Sequence, residues 1–187
     1  MNIRKYISKY LPENEQEVKD KMSFLNFIDS FDDVLTRENN IGHFTSSAIV
    51  VNKDRSKILM IYHNIYNSWA WPGGHADGED DFLSVAVREV KEEIVLEHVK
   101  VISNNIAAID VLTVDGHIKN GEFVSSHLHY NLAYLLSADE TDKIRICESE
   151  NSGVKWIPID KVVEYVSEAK MKPVYLKLIK KIKEYMH

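Results

Sequence analysis

The sequence has one cysteine, no long hydrophobic run and no excess of positive charge. Cys147 is the only cysteine among 187 residues, which excludes an intrachain disulfide and is compatible with a reducing compartment. The N-terminus lacks the apolar run of a signal peptide, and no segment is apolar over the length that a membrane crossing needs. We therefore expect a cytoplasmic protein that does not bind membranes. The net charge of −6 also argues against general nucleic-acid binding.

The composition is that of a globular protein with a sizeable core, since 44% of the residues are hydrophobic and 28% are charged. Residues 1–40 are predicted to form a helical extension, in which Asn14 and Glu17 resemble a capping box. Residues 41–187 are predicted to form the main domain. The extension could pack on this domain, cover its active site or join a homodimer interface, and we expect packing.

Apolar patterns place helices and strands along the chain. In the extension, four residues recur near one face and predict its buried side: Val18, Met22, Leu25 and Ile28. Strands are predicted at residues 44–51, 57–62, within 99–114, at 122–136 and at 153–157, and helices at 159–168 and 173–186. The lysines of the last helix are predicted to form a solvated face: Lys177, Lys180 and Lys181. Strands with helices between and after them predict an α/β layered domain.

The segment from residue 74 to residue 96 carries the strongest functional signal. An apolar stripe predicts a helix here, formed by Leu83, Val87, Val90 and Ile94. Glu89, Glu92 and Glu93 then share another face, where each like-charge pair costs roughly 0.2–0.5 kcal/mol. A hard divalent cation such as Mg²⁺ or Mn²⁺, which prefers oxygen ligands, would supply the missing counter-charge. Just upstream, residues 69–74 are predicted to form a turn, whose glycines allow close backbone approach.

This segment resembles the Nudix box, Gly-x5-Glu-x7-Arg-Glu-hydrophobic-x-Glu-Glu-x-Gly-hydrophobic. The matching residues are Gly74, Arg88, Glu89, Val90, Glu92, Glu93 and Leu96. Asp80 stands where the family has glutamate, and Val95 where it has a glycine. A glycine after a helix often adopts positive φ, which a β-branched valine resists. The resemblance is specific because seven defined positions fall in register over 23 residues.

The resemblance implies a Nudix-type α/β/α sandwich with a mixed sheet. It also implies a hydrolase that cleaves a diphosphate linkage in a small nucleoside diphosphate derivative. Mg²⁺ or Mn²⁺ would be held by carboxylates and a backbone carbonyl, from Glu89, Glu92, Glu93 and Gly74. Arg88 would orient these glutamates and pair with Asp80. The general base would be a box glutamate or a carboxylate from another loop, for which Glu150 is the candidate.

Further polar and aromatic residues are candidates for substrate contact. The Gly73–Gly74 backbone and His75 could meet a phosphate, although His75 could equally be an exposed loop residue. Ser125, His127, His129 and Asn131 alternate with apolar residues, so one strand face would be polar and would line the cleft or face solvent. Trp69 and Trp71 could stack on a base or pack in the core.

Two other readings of the resemblance remain open. The first is a Nudix-fold module that binds nucleotides or regulates without turnover, against which the intact glutamate trio argues. The second is an isomerase similar to isopentenyl diphosphate isomerases, but the cysteine that those enzymes use is missing from residues 72–75. The substrate itself does not follow from the sequence, since residues 110–114 have neither the proline of some ADP-ribose hydrolases nor the tyrosine of some dinucleotide polyphosphate hydrolases.

Overall fold

The computed structural model describes residues 2–94, 96, 98–119, 121–146 and 151–184. Val95, Cys147 and Glu150 therefore lie outside the described residues. The helices are α1 (Ile3–Ser8), α2 (Glu15–Ser30), α3 (Phe82–Ile94), α4 (Val162–Tyr165) and α5 (Lys172–Glu184), with a 3₁₀ turn at Ala169–Met171. The strands are β1 (Gly42–Val51), β2 (Lys57–His63), β3 (Ser68–Ala70), β4 (Gly73–His75), β5 (Val99–Val101), β6 (Ala108–Val114), β7 (His117–Lys119), β8 (Glu122–Val124), β9 (His127–Ala138) and β10 (Asn151–Pro158).

Most of the strands form one mixed sheet with the order β10-β2-β1-β9-β5, and β7 and β8 form a separate hairpin. At the centre, β1 and β9 run parallel, from Gly42 beside Leu128 to Val51 beside Ser137. The other pairings are antiparallel, including β4 on β1, β3 on β2 and β6 on β9. Every residue of β1 is buried, so the strand lies inside the domain on both faces.

The sheet separates two apolar layers, because successive side chains of a strand point to opposite faces. Phe44, Ala48 and Val50 of β1 pack in the layer that contains buried residues of α1, α2 and α3. Ile49 and Val51 point to the other face, where they pack with buried residues of α4 and α5. This arrangement is an α/β/α sandwich with a mixed sheet, as the resemblance implies.

Helix α3 follows directly from its sequence. Asp81 precedes it and accepts the backbone N–H and the hydroxyl of Ser84, so it caps the first turn. The helix buries Phe82, Val85, Ala86, Val90 and Ile94. Of the predicted stripe, Val90 and Ile94 are fully buried, while Leu83 and Val87 are half-buried against the same core. The remaining faces are left for the polar residues that form the candidate site.

The N-terminal helices pack on the sheet, where Leu25 and Ile28 of the predicted stripe of α2 are partly buried against the core. Asn14 caps α2 as predicted, accepting the backbone N–H of Glu17 at 2.9 Å. Val18 and Met22 are 45% and 55% exposed, so the predicted stripe is wrong there. The buried aromatic residues are Phe24 and Phe27, which contact the rings of Phe44 and Tyr130. The division of the chain at residues 40 and 41 stays a prediction.

Three other local predictions are wrong. The turn predicted at residues 69–74 contains parts of β3 and β4, which pair with β2 and β1 around Trp71 and Pro72. The single strand predicted at residues 122–136 is broken between β8 and β9. Lys177 and Lys181 are not solvated, since only 10% and 5% of their side chains are exposed. They are buried because acidic residues of α2 and β6 pair with them.

The longest described helix, α2, has 16 residues. Within the part of the chain that the structure describes, no helix combines the length and apolar character that crossing a bilayer would require.

Candidate active site

A cleft of about 1180 Å³ opens between the polar face of α3, strand β4 and the end of β6. Its other sides are lined by residues 63–66 and by Glu168, Lys170 and Met171. Most of the residues singled out from the sequence meet here: Gly73, Gly74, His75, Arg88, Glu89, Glu92, Glu93 and His129 all line the cleft. His127 contacts His129 beside it, at 3.2 Å between the Nε2 atoms. Glu150 lies outside the described residues.

The three glutamates of α3 differ in burial. Glu93 is 3% exposed, and the side chains of Glu89 and Glu92 are 15% and 63% exposed. Glu93 is held on both sides, because one oxygen accepts the N–H of Gly73 at 2.9 Å and the other accepts the amide of Asn151 at 3.5 Å. A graded row of carboxylates thus runs from the sheet to solvent along one helix face, which suits oxygen-ligated cations.

Neither glycine of β4 has a positive φ, so backbone conformation does not explain them. Both are instead explained by the close approach of neighbouring atoms. A Cβ on Gly74 would overlap the carboxylate of Glu89. A Cβ on Gly73 would lie 2.7 Å from the Cβ of Ser47 and 2.8 Å from the carbonyl oxygen of Ser46 in β1. Gly74 therefore leaves room for a functional carboxylate, whereas Gly73 leaves room for the neighbouring strand.

Arg88 binds the acidic groups around it. Its guanidinium lies 2.6 Å from the carboxylate of Glu79, 3.1 Å from that of Glu89 and 3.9 Å from that of Glu92. It also donates to the carbonyl of His75 at 3.4 Å. Arg88 thus fixes the position of Glu89 against β4. The resemblance implies that Arg88 also pairs with Asp80, which stays a prediction; the structure adds Glu79, one residue earlier, as a partner of Arg88.

The polar face predicted for β9 does reach the cleft, through His129 and Asn131. Asn131 is buried and tied to β1, since it accepts the hydroxyl of Thr45 at 3.1 Å and donates to that of Ser47 at 2.9 Å. Trp71 lines the cleft, and its backbone N–H donates to the hydroxyl of Tyr175 at 2.9 Å. Trp69 packs edge-on against Tyr62 instead.

Four histidines meet at the edge of the cleft. The rings of His43, His75 and His129 lie 4.8–5.0 Å apart between centroids, and the ring of His127 lies 5.0 Å from those of His43 and His129. Burial and the neighbouring histidines lower the pKa of His129 to about 2. Burial also lowers the pKa of His43. These two rings are therefore neutral at physiological pH.

Sequence reasoning missed His43 as a site residue. It belongs to the site because β1 runs parallel to β9, which places His43 beside His129. In addition, His75 of β4 lies opposite Thr45 of β1, two residues from His43. No local pattern signals such a pairing. Glu168, which also lines the cleft, was missed too, and burial raises the pKa of its carboxyl group.

Comparisons with known proteins agree with this geometry. The sequence model of the NUDIX domain matches residues 42–182. An RNA pyrophosphohydrolase of Pelagibacter ubique is 27% identical over 144 residues, which are 74% of this chain and 90% of that protein. The structure is similar to an Ap4A hydrolase of C. elegans in a binary complex, with a TM-score of 0.55 and 18% identity over 76% of this chain and 96% of that one. It is also similar to a MutT protein of Methanosarcina mazei Go1, with a TM-score of 0.55 and 14% identity over 77% and 94% of the two chains.

Proposed function

Since the chain belongs to the Nudix family and is a pyrophosphohydrolase of that family, we propose that it hydrolyses the diphosphate linkage of a small nucleoside diphosphate derivative with Mg²⁺ or Mn²⁺ bound. The observation that carries the proposal is the row of Glu89, Glu92 and Glu93 on the cleft side of α3. Three carboxylates on one helix face repel one another, and the single positive charge of Arg88, which is shared with Glu79, does not balance all of them.

The residues present fit such an ion. Glu89 and Glu93 are largely buried and held in place by Arg88 and by the N–H of Gly73. The absence of a side chain at Gly74 lets the Glu89 carboxylate lie directly against the backbone of β4, whose carbonyl at Gly74 is the proposed further ligand. When bound, the ion neutralises diphosphate charge and lowers the pKa of bound water.

The protein groups then position the substrate and the attacking water. Arg88 holds Glu89 in one orientation, so its carboxylate does not have to reorganise when substrate binds. The carboxylate of Glu93 accepts a hydrogen bond from the N–H of Gly73, which holds it at the cleft. The general base stays a prediction: a box glutamate or Glu150 would take the proton of the water that attacks phosphorus.

The shape and charge of the molecule favour a small substrate. A cleft of about 1180 Å³ has room for a nucleotide derivative, and Trp71 offers an aromatic surface at its wall. The net charge of −6 provides no electrostatic attraction for a long polyanion. The RNA pyrophosphohydrolase among the relatives makes RNA ends the competing substrate class.

We expect phosphate release from at least one small nucleoside diphosphate derivative, dependent on Mg²⁺ or Mn²⁺ and abolished by EDTA. Phosphate release is measured for a panel of nucleotide sugars, nucleoside triphosphates, diadenosine tetraphosphate and a short RNA with a 5′ triphosphate. Each compound is assayed with and without a coupling phosphatase. Turnover of the RNA alone would contradict the small-substrate proposal. Equal turnover in EDTA would contradict the metal dependence.

Substituting the two glycines of β4 should affect different properties, activity at Gly74 and stability at Gly73. In Gly74→Ala the new Cβ displaces the side-chain carboxylate of Glu89 and not the backbone, so we expect kcat/KM to fall by about a hundredfold with little change in the thermal midpoint. In Gly73→Ala the new Cβ meets the backbone of β1, so the thermal midpoint should fall. Steady-state kinetics and circular dichroism melting measure both. Unchanged activity in Gly74→Ala would show that the position of Glu89 does not matter.

A further inference from the structure

The histidines at the edge of the cleft form a second cluster of potential ligands, distinct from the carboxylates of α3. One nitrogen from each of His43, His75 and His129 lies within 4.8 Å of the other two. The three residues come from three different strands, β1, β4 and β9, of which β1 pairs with both of the others. Their arrangement is therefore a property of the fold and not of one mobile loop.

The hydrogen bonds of His43 fix its tautomer. Its Nδ1 lies 3.5 Å from the carbonyl oxygen of Asn39, which can only accept, so Nδ1 carries the proton. The other nitrogen, Nε2, then presents a lone pair. His43 is only 4% exposed, and this Nε2 is buried with no hydrogen-bond partner. A buried polar atom without a partner is energetically unfavourable, and a bound ligand at this nitrogen would remove that cost.

His127 supports the cluster from one side. Its Nδ1 donates to the carbonyl of Ser125 at 2.8 Å, so its Nε2 is an acceptor. The Nε2 of His129 lies 3.2 Å away and donates to it, which orients the His129 ring. Histidines that bind metals typically have their second nitrogen held in this way by a neighbouring acceptor. His43 and His129 both meet this condition.

The spacing of the three nitrogens is close to that of a metal site. Nitrogens within 4.8 Å of one another leave a point no more than about 2.8 Å from each of them. Bonds from imidazole nitrogen to Zn²⁺ are about 2.0–2.1 Å long. Each ring therefore has to move by less than about 1 Å, which small side-chain rotations provide.

We propose that His43, His75 and His129 bind one borderline divalent transition-metal ion, for which Zn²⁺ is the natural probe. Neutral imidazole is a favoured ligand of such ions, whereas Mg²⁺ prefers oxygen. The three histidines share no ligand side chain with the carboxylate row of α3. Three protein ligands leave a fourth position, and His75 and His129 line the cleft, so this position is open toward it. An anion is a poor occupant, because neither His43 nor His129 carries a positive charge at neutral pH.

The test is direct binding of Co²⁺ and Zn²⁺ to the untagged protein, which does not depend on catalysis. We expect one equivalent of Co²⁺ to give the visible absorption of a tetrahedral complex, and Zn²⁺ to displace it. His129→Ala and His75→Gln should weaken binding by about a hundredfold or more. Both positions are half-buried, and the second variant, at a residue of a different strand, keeps a polar side chain of similar size; circular dichroism melting checks that both variants fold.

Two controls separate this site from its surroundings. His98→Ala removes a histidine whose side chain is 73% exposed, and Co²⁺ binding should be unchanged. Glu93→Gln disrupts the carboxylate row, and the Co²⁺ absorption should again persist. Absence of Co²⁺ binding to the unaltered protein, undiminished binding in both folded histidine variants, or loss of the absorption in Glu93→Gln would each overturn the proposal. None of these outcomes bears on the diphosphate hydrolysis proposed above.

Discussion

Glu93→Gln should lower metal-dependent turnover by about a thousandfold, equivalent to about 4 kcal/mol of transition-state stabilisation. Glu93 is the most buried of the three glutamates, and its carboxylate faces the cleft while accepting the N–H of Gly73. Glutamine has nearly the same shape, and its amide oxygen can accept the same N–H. The substitution therefore removes the negative charge that would hold the ion and preserves the local structure.

The measurement is kcat/KM for the best substrate of the panel across a titration of Mg²⁺, together with thermal melting. Glu15→Gln is the matched control, since it removes an exposed carboxylate from the first turn of α2. It should have full activity. Retained activity in Glu93→Gln would remove Glu93 from the proposed metal site. A large fall in the thermal midpoint would instead assign it a structural role through Gly73.

Helix α3 and its glutamates could be predicted from the sequence because the information is local. The spacing of Val90 and Ile94 indicates a helix, and the same spacing places Glu89 and Glu93 on one face. The layered fold follows from the alternation of strands and helices. These inferences need no knowledge of which strands are neighbours.

The rest of the site depends on contacts between distant parts of the chain. The pairing of β4 with β1 turns an expected turn into a strand and brings His75 to His43. The parallel pairing of β1 and β9 adds His129. The pairing of Arg88 with Glu79 was not predicted, because a motif gives positions but not side-chain reach. Pairing of strands and reach of side chains are both set by the whole fold.

The lysines of α5 illustrate the same limit, since helical periodicity predicts a solvated face for Lys177 and Lys181. In the structure Glu17 of α2 is fully buried, with its carboxylate 2.8 Å from Lys181 and 3.5 Å from Lys177. The N–H of Glu13 also donates to it at 3.0 Å. Although burial alone raises the pKa of Glu17, these partners hold it below its usual value. Glu17 is therefore ionised at neutral pH.

Glu17→Ala should reduce the free energy of unfolding by about 3–5 kcal/mol, because it leaves buried cationic charge on Lys181 without its closest anion. Urea unfolding followed by circular dichroism measures this. Asp29→Ala, which breaks the exposed ion pair with Arg4, is the control and should have a much smaller effect.

The double variant Glu17→Leu with Lys181→Met distinguishes a charge effect from a packing effect. Replacing both charges by apolar side chains of similar size removes the unpaired cation, so most of the lost stability should return. A double variant as unstable as Glu17→Ala would show that shape, and not charge, holds α2 against α5. Recovery would mean that the ion pair adds little net stability. Its role would then be to define how the N-terminal helices dock, since only one arrangement places Glu17 between both lysines.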